Sequence, residues 1–286
     1  SGPARTNWYR CDSHARALCI ARRAEKTRRW LTRNEFAKAR RCRNTPGCRH
    51  GPMADSSGPD RRQLAILAIG LLACVVLVAS QFGGWRNAAV LAKLIASSSF
   101  VALAISSGAA RTHFGRILLA GLALSWIGDM LLLGRSQALF LSGLCAFLLA
   151  HVAYIAAFAV RGISWRWAIA ATVPVVPISV LVSIWLSPHV PDSMQLPVWL
   201  YTAVISGMVI GAIGARGAGA VLAVPLGALL FYFSDLSVAA GQFVRPDFPN
   251  FVWGLPFYYV GQLLLAWSAG SVLHARQSSA GESDSR

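Results

Sequence analysis

Eight stretches of about 20 mostly apolar residues follow one another between residues 64 and 273, with little chain between them. They are Leu64–Ser80, Asn87–Ser107, Gly115–Leu133, Gln137–Phe158, Trp167–Leu186, Val198–Ala215, Ala218–Ala240 and Phe251–Leu273. A helix rises 1.5 Å per residue, so about 20 apolar residues cross the roughly 30 Å hydrocarbon core of a bilayer. The runs are too long for membrane strands and do not alternate apolar with polar positions. The expected fold is an all-α membrane protein, an eight-transmembrane-helix bundle with antiparallel neighbours. Only 13% of the residues are charged, against about 25% in soluble domains, which argues against an ordinary soluble enzyme.

The formal net charge of +16 fits such a protein only if it is concentrated, and it is. Residues 1–52 hold 14 Lys/Arg against 3 Asp/Glu, while residues 53–286 hold 13 against 8. Residues 1–62 thus read as a basic, disordered N-terminal segment, 63–274 as the membrane domain and 275–286 as a polar tail. Cys11, Cys19, Cys42 and Cys48 with His14 and His50 suggest zinc, but the closest cysteines are six positions apart and flank Pro46-Gly47, a poor ligand spacing. The arginines lack a nucleic-acid-binding motif. A mitochondrial presequence would be Ser-rich and free of clustered Cys. Residues 1–52 are best read as an upstream extension, an over-called start before Met53. No cofactor, metal or nucleic-acid partner is expected.

The basic residues also orient the spans. One side of the membrane receives Arg61, Arg62, Arg111, Arg116, Arg161, Arg166, Arg216 and Arg276; the other receives Arg86, Arg135 and Arg245. Positive charge stays inside, so both termini are expected on the cytoplasmic side of the cell membrane. Trp85, Trp165, Trp167, Trp199 and Trp253 fall near span ends, as interfacial aromatics do. Cys74 and Cys145 lie within spans and read as apolar packing residues.

Three ionisable residues, Lys93, Asp129 and Asp235, stand where lipid should be. Each costs about 2.5–3.5 kcal/mol at mid-bilayer, so such residues face the bundle and do something there. At 1.5 Å per residue Asp129, Asp235 and Lys93 lie about 6, 8 and 9 Å from the outer end, with Tyr201 and Tyr258 at about 5 and 11 Å. Gln262 and His151 lie deeper, at about 17 and 21 Å. Helical spacing puts Ser125, Gly128 and Asp129 on one face, as it does Gly227, Phe231, Ser234 and Asp235. Gly143, Phe147, His151 and Tyr154 form a third stripe, and Gly254, Tyr258 and Gln262 a fourth. Simpler roles exist: Lys93 snorkelling to the interface, His151 as a satisfied interior histidine, the tyrosines as interfacial aromatics, and a purely structural Asp–Lys pair.

The two aspartates have similar settings, Ser125-Trp-Ile-Gly-Asp129 and Phe231-Tyr-Phe-Ser-Asp235. In the following spans Gly143-Leu144 precedes His151 as Gly254-Leu255 precedes Gln262. Two parallel four-helix repeats about an axis along the membrane normal would explain this.

At these residues the sequence resembles the lysoplasmalogenase (YhhN-like) family of integral membrane proteins. The matching pieces are Ser125–Leu133, Gly143–Tyr154, Tyr201–Met208, Gly227–Asp235 and Tyr258–Gln262. One departure is Lys93-Leu94, where the family commonly has Lys-Pro; residues 1–52 have no counterpart. The resemblance implies eight spans and a hydrolase of the vinyl-ether bond of lysoplasmalogens, releasing a fatty aldehyde and a glycerophospho-ethanolamine or -choline. It implies a lysophospholipid or other ether-lipid substrate, and the family's two intramembrane aspartates map onto Asp129 and Asp235.

The chemistry suits those residues. Protonation of the alkene carbon gives an oxocarbenium ion, which water then traps. The step needs a carboxylic acid and a nearby anion, the pairing that glycosidases use. Asp129 and Asp235 are the expected catalytic pair, with either as the acid. Lys93, His151, Tyr201, Ser234, Tyr258 and Gln262 are the expected supporting or substrate-binding residues. No Ser-His-Asp pattern and no metal-ligand cluster appears in the spans. The rival reading is a proton-coupled transporter using the same aspartates, although Pro174/Pro177 and Pro225 do not form matched helix breaks in the two halves. A non-catalytic lipid-binding scaffold is the third.

Overall fold

The structure is a computed structural model and describes residues 60–134, 136–245, 247 and 249–271. The cysteine and arginine cluster of the N-terminal segment and the polar C-terminal tail lie outside the described residues. The described residues form eight long helices: α1 (Arg61–Phe82), α2 (Arg86–Ser106), α3 (His113–Leu131), α4 (Gln137–Arg161), α5 (Trp165–Leu186), α6 (Asp192–Gly217), α7 (Ala223–Ala239) and α8 (Asn250–Ser268). No strand occurs among them.

Seven of the helices, α1 to α7, are long and apolar enough to cross a membrane. α8 has 19 residues but carries Asn250, Gln262 and two tyrosines, so its own hydropathy is lower. It packs against α7, α2, α1 and α3 instead. A helix surrounded by other helices need not be apolar all round, because its polar groups meet protein rather than lipid.

The helix ends differ from the apolar runs for local reasons. α6 starts six residues before its run, at Asp192, because helical hydrogen bonding needs no apolar side chain, and it carries Pro197 inside it. α7 starts five residues after its run, because Gly219 has φ +92° and turns the chain between α6 and α7. Thr112 and Ser136 cap α3 and α4 by accepting from the backbone N–H of Gly115 and Leu139. Inside the helices, Ser80, Ser99 and Ser179 donate to carbonyls four residues back, which satisfies their hydroxyls where water is absent.

Short connections make each helix antiparallel to the next, so the bundle has a near end, where α1 starts, and a far end. Arg61, Arg62, Arg111, Arg116, Arg161, Arg166 and Arg216 all stand at the near end, and Arg86 and Arg245 at the far end. Of the five tryptophans named above, Trp85, Trp165, Trp167 and Trp253 stand at helix ends and Trp199 two turns into α6, with 49–74% of their surface exposed. Cys74 is buried, but Cys145 faces outward from α4, against the expectation of a packing role. In lipid the outer face of a helix is as apolar as the inner one, so apolarity alone does not set direction.

Helix packing repeats between the two halves. α1·α2, α3·α4 and α2·α3 have counterparts in α5·α6, α7·α8 and α6·α7, and α2·α8 has its counterpart in α6·α4. These contacts close a ring of α2, α3, α4, α6, α7 and α8, with α1 and α5 outside it. Glycines set the closest crossings. A Cβ on Gly227 of α7 would stand 2.8 Å from the Gly261 carbonyl of α8, and one on Gly128 of α3 would stand 2.7 Å from the Phe147 ring of α4.

Candidate active site

All four polar stripes turn into the ring: Ser125, Gly128, Asp129, Gly143, Phe147, His151, Tyr154, Gly227, Phe231, Ser234, Gly254, Tyr258 and Gln262 are buried, and Asp235 is partly exposed. At the far end they bound a cavity of about 300 Å³, near the lower limit for small-molecule sites. Its polar lining includes Lys93, Asp129, Tyr201, Ser234, Asp235 and Tyr258, with Thr202, Gln242 and Asn250 beside them. Residues expected at one height therefore meet around one cavity, because a constant rise per residue converts residue number into height.

Asp129, at the far end of α3, is enclosed by donors. Lys93 Nζ of α2 lies 3.3 Å from its Oδ1. Ser97 Oγ, one turn further along α2, donates to Oδ2 at 2.7 Å, and Tyr258 OH of α8 donates to the same oxygen at 2.8 Å. Ser97 in turn meets Tyr259 OH at 3.2 Å. Lys93 thus faces the bundle rather than snorkelling outward, and its side chain is 13% exposed.

Asp235, at the equivalent height of α7, has a sparser setting. Tyr201 OH of α6 donates to its Oδ2 at 2.6 Å. His151 Nε2 of α4 stands 3.6 Å from that oxygen, beyond hydrogen-bond distance, and neither ring nitrogen of His151 has a partner. No Lys or Arg pairs with Asp235 among the described residues. The pair of tyrosines is not symmetric: Tyr201 approaches from the helix equivalent to that of Lys93, and Tyr258 from α8.

Aromatic rings form the floor. Phe231 packs edge-on against Tyr258 with centroids 5.2 Å apart and lies 4.6 Å from the His151 ring; Phe147 lies 5.8 Å from Tyr258. Beneath them Tyr154 OH donates to Gln262 Oε1 at 2.8 Å and meets Ser125 Oγ at 3.2 Å. Gln262 and His151 are fully buried below the cavity and do not line it. Ser234 lines it but makes no side-chain hydrogen bond among those found in the described residues. Ser97 and Tyr259 are parts of the network that the sequence does not single out, and Tyr154 stands on an inward stripe without an expected site role. Ser97 had a visible signal, its i+4 spacing from Lys93 on one helix face; Tyr259 had none, since its neighbour Tyr258 takes the same stripe.

Chemically, the cavity sets two carboxylates in one low-dielectric space with unequal partners. Among the described residues no group of three His, Cys, Asp or Glu side chains is placed to hold a metal ion.

Residues 66–269 match the YhhN family. Among curated proteins, the chain is 31% identical over 158 residues to a protein named lysoplasmalogenase TMEM86A from Bos taurus, covering 53% of this chain and 64% of that one. It is 32% identical over the same length and shares to the human protein of that name. A Mycobacterium bovis protein named lysoplasmalogenase is 36% identical over 134 residues, 45% of this chain and 51% of its own. The chain thus spans between half and two thirds of the length of these relatives. No solved structure matches.

Proposed function

Because this chain belongs to the YhhN family, we propose that it is a membrane hydrolase of the lysoplasmalogenase type, cleaving the vinyl-ether bond of lysoplasmalogens or related ether lysolipids with Asp129 and Asp235. One observation carries the reading: two carboxylates line one buried cavity, one held by a cation and two hydroxyls, the other by a single phenol. The names of the relatives supply the substrate class.

The unequal partners suggest unequal roles. Three donors point at Asp129, so both of its carboxyl oxygens are engaged. Asp235 accepts one hydrogen bond and keeps an oxygen free to carry a proton. In the proposed reaction Asp235 gives its proton to the alkene carbon remote from the ether oxygen. The other alkene carbon and the ether oxygen then share the positive charge, opposite Asp129. Water adds to that carbon and returns a proton to Asp235. The hemiacetal collapses by breaking the bond between that carbon and the glycerol oxygen, which takes up a proton as the hemiacetal hydroxyl loses one. One water is consumed, and one aldehyde and one alcohol are released. Tyr201 positions Asp235, and the Phe147–Phe231 floor limits water below. The near end, with its seven arginines, is the proposed cytoplasmic side.

The test is aldehyde release from lysoplasmalogen by the purified chain. Asp129→Asn and Asp235→Asn should each abolish release while the protein stays folded in detergent. Full activity in both variants would sink the assignment. Solute flux in proteoliposomes that depends on the same aspartates, without aldehyde, would favour a carrier instead.

A further inference from the structure

The packing of the two halves differs at one place. α1 leans on both α2 and α8, whereas its counterpart α5 leans on α6 and leaves the equivalent flank of α4 without such a cover. Gly70 makes the first arrangement possible: a Cβ there would stand 3.0 Å from Ser99 of α2 and 3.3 Å from Leu263 of α8. α5 instead carries Pro174 and Pro177 at mid-helix and buries few residues, among them Ala168, Ala171 and Ser179. A proline ring crowds the preceding turn and frees a carbonyl, which disfavours close, even packing on a second neighbour.

The cavity extends toward this flank. Leu144 of α4, Val182 and Leu186 of α5, and Val198 and Ile205 of α6 line it there, with Thr202 of α6 as a hydroxyl between the last two and no charged group among them. Val182, Leu186 and Val198 also belong to a small apolar cluster, apart from the main core, that is completed by Phe243 in the π-helical turn after α7. Asp129, Lys93 and Tyr258 line it on α3, α2 and α8, away from the arm, and Asp235 of α7, bonded to Tyr201 of α6, stands between the two. The cavity is therefore amphipathic from side to side, with its apolar arm at the uncovered flank.

We infer that this arm seats the single hydrocarbon chain of an ether lysolipid, which slides in sideways from the bilayer between α4 and α5. The inference rests on the proposed lipid-cleaving function for the identity of the ligand, and on the broken packing repeat for the route. A chain that moves from lipid into this arm stays in apolar surroundings throughout. Its first carbons then reach the carboxylate wall while the polar end remains at the far-end rim. A cavity of about 300 Å³ has no room for two chains.

The experiment uses the full chain in detergent or nanodiscs and a saturated 1-O-alkyl lysophosphoethanolamine with a photoreactive diazirine at the end of its chain. This probe has no vinyl ether, so it reports binding whether or not the protein cleaves lysoplasmalogen. Labelling should fall on α4, α5 and α6 around Leu144, Val182 and Val198, and a non-photoreactive long-chain alkyl lysolipid should compete with it. Leu144→Trp should weaken labelling roughly tenfold, the effect of about two lost buried methylenes. Leu149→Trp, on the lipid-facing side of the same helix, should leave labelling unchanged. Labelling confined to α1, α2 or α8, or undiminished labelling of folded Leu144→Trp, would overturn the inference. Should Leu144→Trp fail to fold, the labelling map of the unaltered chain decides alone. Correct labelling without aldehyde release from lysoplasmalogen would leave the chain site standing and remove the hydrolase.

Discussion

Replacing Lys93 with methionine keeps the side chain out to Cε and removes its charge. Asp129, 3% exposed, then loses the one cation that pairs with it among the described residues. At 3.3 Å and an effective dielectric constant of about 20, two unit charges attract by about 5 kcal/mol, much of which offsets their desolvation. Removing one partner of a buried pair costs about 3–5 kcal/mol, because the other charge stays behind. Ser97 and Tyr258 still donate to Oδ2, which places Lys93→Met near the lower end, at about 3 kcal/mol. The double variant Lys93→Met/Asp129→Asn removes both charges and keeps both shapes, so its stability should return to within about 1 kcal/mol of the parent. With Asp129→Asn costing up to about 3 kcal/mol as well, the two changes should therefore be coupled by about 2–5 kcal/mol. Reversible unfolding of the four proteins in mixed micelles measures this directly. Additivity within about 0.5 kcal/mol would refute the ion pair as a stabilising contact. Aldehyde release separates stability from chemistry: the double variant should be folded and inactive.

Two further outcomes follow from single contacts. Gly227→Ala would put a methyl 2.8 Å from the Gly261 carbonyl, where ordinary contact begins near 3.4 Å; backbone cannot swing aside, so α7 and α8 should separate at a cost of about 1–3 kcal/mol, read as a lower unfolding midpoint. Unchanged stability would mean that this crossing is looser than the structure shows. Tyr201→Phe removes the 2.6 Å hydrogen bond to Asp235 and should cut kcat about 10- to 100-fold while costing only about 1–2 kcal/mol of stability, measured by turnover beside thermal unfolding. An unaltered kcat would remove Tyr201 from the proposed positioning role.

Much of this arrangement was legible in the chain before any coordinates. Apolar runs of bilayer length dictate helices, because only a helix satisfies its own backbone in lipid. Charged groups inside those runs mark the faces that must turn inward, and constant rise per residue gives their height. Thus Lys93, Asp129, Tyr201, Asp235 and Tyr258 could be assigned to one layer and His151 and Gln262 to a deeper one. The internal repeat was visible in a handful of residues around the two aspartates.

Tertiary structure alone decided who meets whom across the bundle. Height and face are properties of one helix, whereas partners depend on how eight helices close on one another. Nothing in the local sequence says that Tyr258 of α8 reaches Asp129 of α3, or that Tyr259 backs Ser97. Nor does it say that Lys93 pairs with Asp129 and leaves Asp235 with a phenol and an unpartnered imidazole. The exposure of Cys145 and the uncovered flank of α4 are of the same kind. Lipid and protein interior are both apolar, so hydropathy cannot separate an outward face from an inward one; only the contacts between helices do.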